Sequence, residues 1–235
     1  MVEPAGISIA KLNFGIGQFS LKNVSLDIPR GEYFVLSGPN GSGKSLLLKL
    51  LAGLLRPDSG ELWIQGRRIT QLPPWKRNVG YVPQDGLLFP NYTVAQNIEF
   101  GLRVRHLTRQ ERRRQVDRMA EMLHITPLLD RNIRDLSGGE QQKTALARAL
   151  ALSPSVLLFD EPVSAIDEQT RDPLCLEMKR VQRQLGITTI HVSHNSRETA
   201  LVADRVGFIK DGVLDRRFQP TAASNSPSPV SNDLP

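Results

Sequence analysis

Residues 38–45, GPNGSGKS, set three glycines, a lysine and a serine in the order G-x-x-x-x-G-K-S. A glycine-rich turn of this kind lets successive backbone N–H groups curl around phosphate oxygens. The helix that it opens adds the positive end of its dipole. Gly38, Pro39, Asn40, Gly41, Ser42 and Gly43 are the expected cradle. Lys44 is expected to reach the β- and γ-phosphates of a nucleotide, and the Ser45 hydroxyl to sit on Mg²⁺. The metal needs a second oxygen donor from a neighbouring strand end. SVLLFDE (155–161) supplies one: Asp160 is expected to hold Mg²⁺ directly or through water, and Glu161 to take a proton from an attacking water. A further apolar run ends in HVSH (191–194). By alternation His191 points into the interior and reads as structural. His194 follows the strand, on the side where such sheets bind ligands, and could reach a γ-phosphate oxygen.

A second anion site is written into LSGGEQQKTALARAL (136–150). From Glu140 onward this is a good helix, yet Gly138 and Gly139 precede it, and each costs roughly 1 kcal/mol against alanine if helical. Ser137 as N-cap with Glu140 three residues on makes a capping box, so the helix starts with free N–H groups. With no side chains at 138 and 139, a phosphate can touch the backbone there. The chain's own loop already cradles one nucleotide. The spare site is therefore expected to face the nucleotide of a second copy, giving a dimer with two ATP molecules at its interface.

The elements that must position these groups follow from pattern. Alternating stretches near 6–14, 21–28 and 61–66 predict an antiparallel β region. YFVLS (33–37), SVLLFD (155–160) and ITTIHVS (187–193) read as buried strands. The stretch LLLKLLAGLL (46–55), residues from about 90 to 135, the run to about 152 and 167–185 read as helices, and RVGFIKDGVL as a late hairpin turning at Asp211-Gly212. Strands alternating with helices predict an α/β fold with a mostly parallel sheet flanked by helices.

Composition narrows the class. The 235 residues are 40% hydrophobic, enough for one domain with a subdomain, and no apolar run has the length of a membrane span. A signal peptide is not expected, and the single cysteine, Cys175, fits a reducing compartment. The formal charge of +6 comes in part from residues 103–123, which carry seven arginines without aromatic interleaving. That reads as a solvated basic helix face, with no nucleic-acid partner expected. The tail from 218 to 235 is rich in Ser, Pro and Asn and is expected to be disordered.

Together these residues resemble the ATP-binding subunit of an ABC transporter, over about residues 7–215. GPNGSGKS resembles Walker A, LSGGEQQ the signature, VLLFDEP Walker B, SAID (164–167) the D-loop, and His194 the switch histidine. Gln84 in YVPQ resembles the Q-loop glutamine, which implies contact with the metal and the nucleotide. The resemblance implies a P-loop ATPase domain over 1–217, with an N-terminal antiparallel β subdomain and a helical subdomain at about 90–150. It also implies ATP and Mg²⁺ as cofactors, and an aromatic stacked on adenine. Phe14 is favoured for that contact by its distance from the loop, with Phe19 as the alternative. Lys143, Ile166 and Asn195 depart from the common pattern without removing a catalytic group.

GLLFPNYTVAQNIEFGL (86–102) resembles the segment of importer subunits that receives a permease. The expected partners are transmembrane permease subunits, a second copy of the chain and an extracellular solute-binding protein, with the chain peripheral on the cytoplasmic face of the membrane. The wording around SGELWIQGRRITQLPPWKRNVGYVPQ is most similar to subunits of molybdate, tungstate, sulfate, polyamine and sugar importers, nearest molybdate or tungstate. An ABC ATPase of an exporter, or of a non-transport assembly system, is the alternative. Many relatives carry a C-terminal regulatory β domain, which the last segment here is too short to form.

Overall fold

The structure is a computed structural model and describes residues 5–220. Two sheets carry it. The first is antiparallel, in the order β2-β1-β4-β5, from β1 (Ile7–Ile16), β2 (Phe19–Ile28), β4 (Ser59–Ile64) and the short β5 (Arg67–Arg68). The second has six strands in the order β10-β9-β3-β8-β7-β6, from β3 (Tyr33–Ser37), β6 (Val79–Val82), β7 (Val156–Asp160), β8 (Thr188–Val192), β9 (Arg205–Lys210) and β10 (Val213–Pro220). Strands β9, β3, β8, β7 and β6 pair in parallel, and only β10 runs antiparallel. Strand β6 has no counterpart in the sequence reading. Strand β10 runs to Pro220, three residues into the stretch assigned to the tail. The rest of that tail, and its expected disorder, lies outside the described residues.

The uninterrupted apolar runs of β3, β7 and β8 have a direct cause: the second sheet is covered on both faces. Phe34, Leu36, Val156 and Leu158 pack against α1 (Lys44–Ala52) and the antiparallel sheet. Tyr33, Val35, Leu157 and Phe159 join a second core built on the other helices. These are α2 (Val94–Val104), α3 (Arg109–Met122), α4 (Gly138–Leu150), α5 (Glu168–Leu185) and α6 (Ser196–Val202). Thr93, Thr108 and Ser137 each close a capping box at the start of α2, α3 and α4. The basic stretch is therefore two helices. They part at His106, whose φ of 57° lies in the left-handed region. Most of its arginines are exposed, and Arg112 pairs with Glu99 at 2.6 Å.

Parallel pairing fixes where the polar ends come out. In the ladder, Asp160 lies opposite Val192, and Val192 opposite Leu36. The loops after β3, β7 and β8 thus emerge side by side at one edge of the sheet.

Candidate functional site

The loop after β3 enters α1 without a side-chain cap and without an acidic residue in the first turn, so the helix start keeps its positive character. A Cβ at Gly38 would stand 2.0 Å from the Ile209 carbonyl oxygen. One at Gly43 would stand 2.8 Å from the Phe19 ring. Both glycines are forced by close approach, so the loop is a tight-walled cradle. Lys44 is buried, and its Nζ donates to the carbonyl oxygens of Gly38 and Pro39, each at 2.9 Å. Burial lowers its pKa, and the nearby acids Glu161 and Asp160 oppose that shift. A buried ammonium tied only to loop carbonyls is suited to a multiply charged phosphate.

Ser45 Oγ donates to Asp160 Oδ1 at 2.7 Å, and the Tyr81 hydroxyl donates to Oδ2 at 3.0 Å. A hydroxyl and a carboxylate converging beside a phosphate cradle are hard oxygen donors, which fits Mg²⁺. Burial, and after it the Asp160 charge, raises the Tyr81 pKa, so the hydroxyl stays a donor. Sequence reasoning missed Tyr81. It lies on the strand that went unrecognised, and nothing in its local spacing marks it.

Glu161 leaves β7 with a φ of 49°, which is uncommon for a residue with a side chain. Its N–H is held by the Val192 carbonyl oxygen at 3.1 Å, and its carboxylate lies 3.4 Å from His194 Nδ1. The turn therefore brings the expected base and the expected γ-phosphate contact together at the sheet edge. His191 is fully buried; its Nδ1 lies 2.9 Å from the Tyr33 hydroxyl. This is the structural role that alternation assigns it.

At the start of α4, Ser137 and Glu140 form the expected capping box, with Ser137 N donating to Glu140 Oε2 at 2.8 Å. Gly138 is exposed, whereas Gly139 is buried. A Cβ at Gly139 would stand 2.9 Å from Thr170 Cγ2, and one at Gly138 3.1 Å from Ile166 Cδ1. Part of the reason for the glycine pair is thus internal: it lets α4 start hard against the 164–167 turn and α5. Gln84 lines a cleft of about 480 Å³ together with Gly138, Gln141, Gln142 and Ile166.

The structure places the two candidate aromatics differently. Phe14 is 8% exposed and packs in the core under the antiparallel sheet. Strand β1 breaks register between Ile9 and Leu12, with Lys11 at a φ of 47°. The inward positions change there from Ile7 and Ile9 to Leu12 and Phe14. The aromatic that reaches the cradle is Phe19, half-buried against Gly43.

Residues 21–164 match the model of a family described as ABC transporter. The chain is 48% identical over 197 residues to a molybdate/tungstate import ATP-binding protein of Pyrococcus horikoshii, matching 84% of this chain and 57% of that protein. It is 46% identical to a protein of the same description from Thermococcus kodakarensis, matching 84% of this chain and 60% of that one. The chain thus spans less than two thirds of the length of these relatives. Among solved structures, cbiO1 from Clostridium perfringens, part of the ABC transporter complex cbiONQ, superposes with a TM-score of 0.83 at 30% identity, covering 91% of this chain and 88% of that one. A dimeric bacterial ABC transporter cassette, MJ0796, in a post-hydrolysis state bound to ADP and Pi, gives a TM-score of 0.79 at 29% identity, covering 91% and 98%. The cradle, the paired strand-end acids, the capped glycine start of α4 and these likenesses lead to one statement: the chain belongs to the ABC transporter family.

Proposed function

We propose that the chain is the ATP-hydrolysing subunit of an importer for a small oxyanion of the molybdate or tungstate type. One observation carries the enzymatic part: Lys44, Ser45, Asp160, Glu161 and His194 converge at one sheet edge beside a phosphate cradle. The relatives' names support the cargo. Lys44 and the loop N–H groups bind and orient the phosphates. Mg²⁺ would be held by Ser45 and Asp160, with Gln84 as the further contact that the family resemblance implies, and would neutralise charge on the phosphates. Glu161 accepts the proton of the attacking water, His194 donates to the γ-phosphate, and Phe19 lies against the adenine. Ser137, Gly138 and Gly139 of a second copy close over the same γ-phosphate.

Two such copies would push on transmembrane permease subunits from the cytoplasmic face of the membrane, with an extracellular solute-binding protein delivering the anion. No helix among the described residues is long and apolar enough to cross a membrane. The apolar residue best placed to meet a permease is Leu87, 63% exposed beside Gln84. Phe89 is partly buried, its ring against those of Phe100 and Tyr92 and the Arg148 guanidinium.

The test has two arms. Glu161→Gln is expected to bind Mg²⁺-ATP and to lose about 10²–10⁴-fold in hydrolysis. Light scattering should then show a nucleotide-dependent dimer, and adding Gly138→Asp should abolish it while nucleotide binding survives. A double mutant that dimerises as well as the single one would refute the two-copy site. For the cargo, disrupting the gene should lower cellular molybdenum or tungsten. Unchanged metal with reduced polyamine uptake would reassign it, since the chain is also 40% identical over 209 residues to a spermidine/putrescine import protein of Nitratidesulfovibrio vulgaris.

A further inference from the structure

His194 is more than half exposed, on a short loop between β8 and α6, yet its imidazole must meet a phosphate oxygen within tenths of an ångström. The loop is held from beneath. Ser193, just before it, is buried, and its Oγ donates to Glu198 Oε2 at 2.6 Å. The same Oγ accepts from Asn195 N at 3.0 Å, so one hydroxyl clasps both flanks of His194. Asn195 in turn caps α6, accepting from the N–H groups of Arg197 and Glu198.

Glu198 is 5% exposed, and its second oxygen lies 3.8 Å from Arg171 Nε. Arg171, in the first turns of α5, donates from Nη2 to the Ile166 carbonyl oxygen at 2.6 Å. Ile166 belongs to the turn at 164–167, and its side chain is the one that a Cβ on Gly138 would touch. A chain of polar contacts therefore runs from the 164–167 turn, beside the α4 start, through Arg171, Glu198 and Ser193 to the His194 loop, with a charge contact at 3.8 Å, not a hydrogen bond, between Arg171 and Glu198. The Glu198 carboxylate is buried and the Arg171 side chain partly so, so removing the cation leaves a buried carboxylate with less compensation.

We propose that Glu198 and Arg171 are positioning residues that tie the His194 loop to the 164–167 turn. The geometry of the γ-phosphate contact and that of the turn facing the second copy are then set together. This rests on the ATPase reading above. A turn displaced by a partner would move the Ile166 carbonyl, and with it Arg171, Glu198 and the clasp on His194. The strap is a physical link between the copy that caps a nucleotide and the histidine that touches its own.

The experiment combines exchange and kinetics on the full chain. Glu198→Gln keeps the side-chain shape and an acceptor for Ser193 but removes the ion pair. It should raise amide hydrogen exchange at 164–167, at the far end of the strap, at least severalfold, and Arg171→Met should do so at 193–195. This arm needs no hydrolysis, so it stands even if the chain proves not to be an ATPase. In steady state, Glu198→Gln should lower kcat about tenfold with KM for ATP within about twofold. In a His194→Ala background the same substitution should change the rate less than about twofold, because its effect passes through that imidazole. Unchanged exchange at 164–167 in Glu198→Gln would overturn the strap. An equal loss of rate with and without His194 would overturn its action through the histidine. Absence of hydrolysis by the unsubstituted chain would instead overturn the proposed function.

Discussion

HVSH carries two histidines three residues apart with opposite fates, and the buried one makes a sharp prediction. His191 has no exposed surface, its Nε2 lacks a hydrogen-bond partner, and its neighbours are the Tyr33 hydroxyl and the rings of Tyr33 and Phe159. None offers an acid to an imidazolium, and burial lowers its pKa from 6.5 to about 3. The unfolded chain protonates this ring near 6.5 while the folded chain does not. Stability from the neutral ring is therefore complete above pH 6.5 and is lost as pH falls toward 3. Each pH step in that window costs about 1.4 kcal/mol, so about 2 kcal/mol is gone at pH 5. His191→Gln cannot take the proton. Its own cost, from the lost contact with Tyr33, should be the same at every pH. Urea unfolding at pH 8 and pH 5 should show the advantage of the unsubstituted chain shrinking by about 2 kcal/mol. A constant difference across that range would refute the reasoning and mean that the ring finds a partner for its proton inside the fold.

Three further outcomes follow from geometry. Tyr81→Phe removes a donor from Asp160; half-saturation by Mg²⁺ in binding of a fluorescent ATP analogue should rise about tenfold, with metal-free binding unchanged. Leu87→Asp should impair co-purification with a permease while leaving ATP affinity within about twofold, and a loss of nucleotide binding instead would move this residue into the ATP site. Gly139→Ala drives a methyl against the stiff Thr170 side chain and should destabilise by about 1–3 kcal/mol, whereas Gly138→Ala meets only the flexible end of Ile166 and should be close to neutral in urea titration; equal effects would show that α4 does not pack on α5 as described.

What the sequence makes legible is what depends on short, local spacing. The cradle, the strand-end acids, the capping boxes and the Asp211-Gly212 turn are each set by residues within one turn or one strand of each other, and the structure builds them there. Strand β6 was invisible because Gly80 interrupts its apolar run. A Cβ at that glycine would stand 2.8 Å from Leu157, so the residue that breaks the pattern is required by the neighbouring strand. That Phe14 is buried while Phe19 lies against the loop could not be read from distance along the chain: the irregularity at Lys11 re-phases β1, and the inward positions change from Ile7 and Ile9 to Leu12 and Phe14. The packing of Gly139 on Thr170 joins residues thirty-one positions apart, which no local pattern encodes.

The parallel ladder that aligns Leu36, Val192 and Asp160 also decides which sequence changes this protein can survive. Side-chain exchanges within those strands alter packing by degrees. Inserting or deleting one residue in β3, β7 or β8 is different in kind: it advances the loop by about 3.3 Å and turns its side chains to the other face. Lys44, Asp160 or His194 would then miss the common edge altogether. Length variation among descendants of this chain should therefore collect outside those three strands, at places such as the exposed Gly17-Gln18 hairpin turn. In an alignment of close relatives, the stretches without gaps would mark the edge where Lys44, Asp160 and His194 meet before any residue was compared.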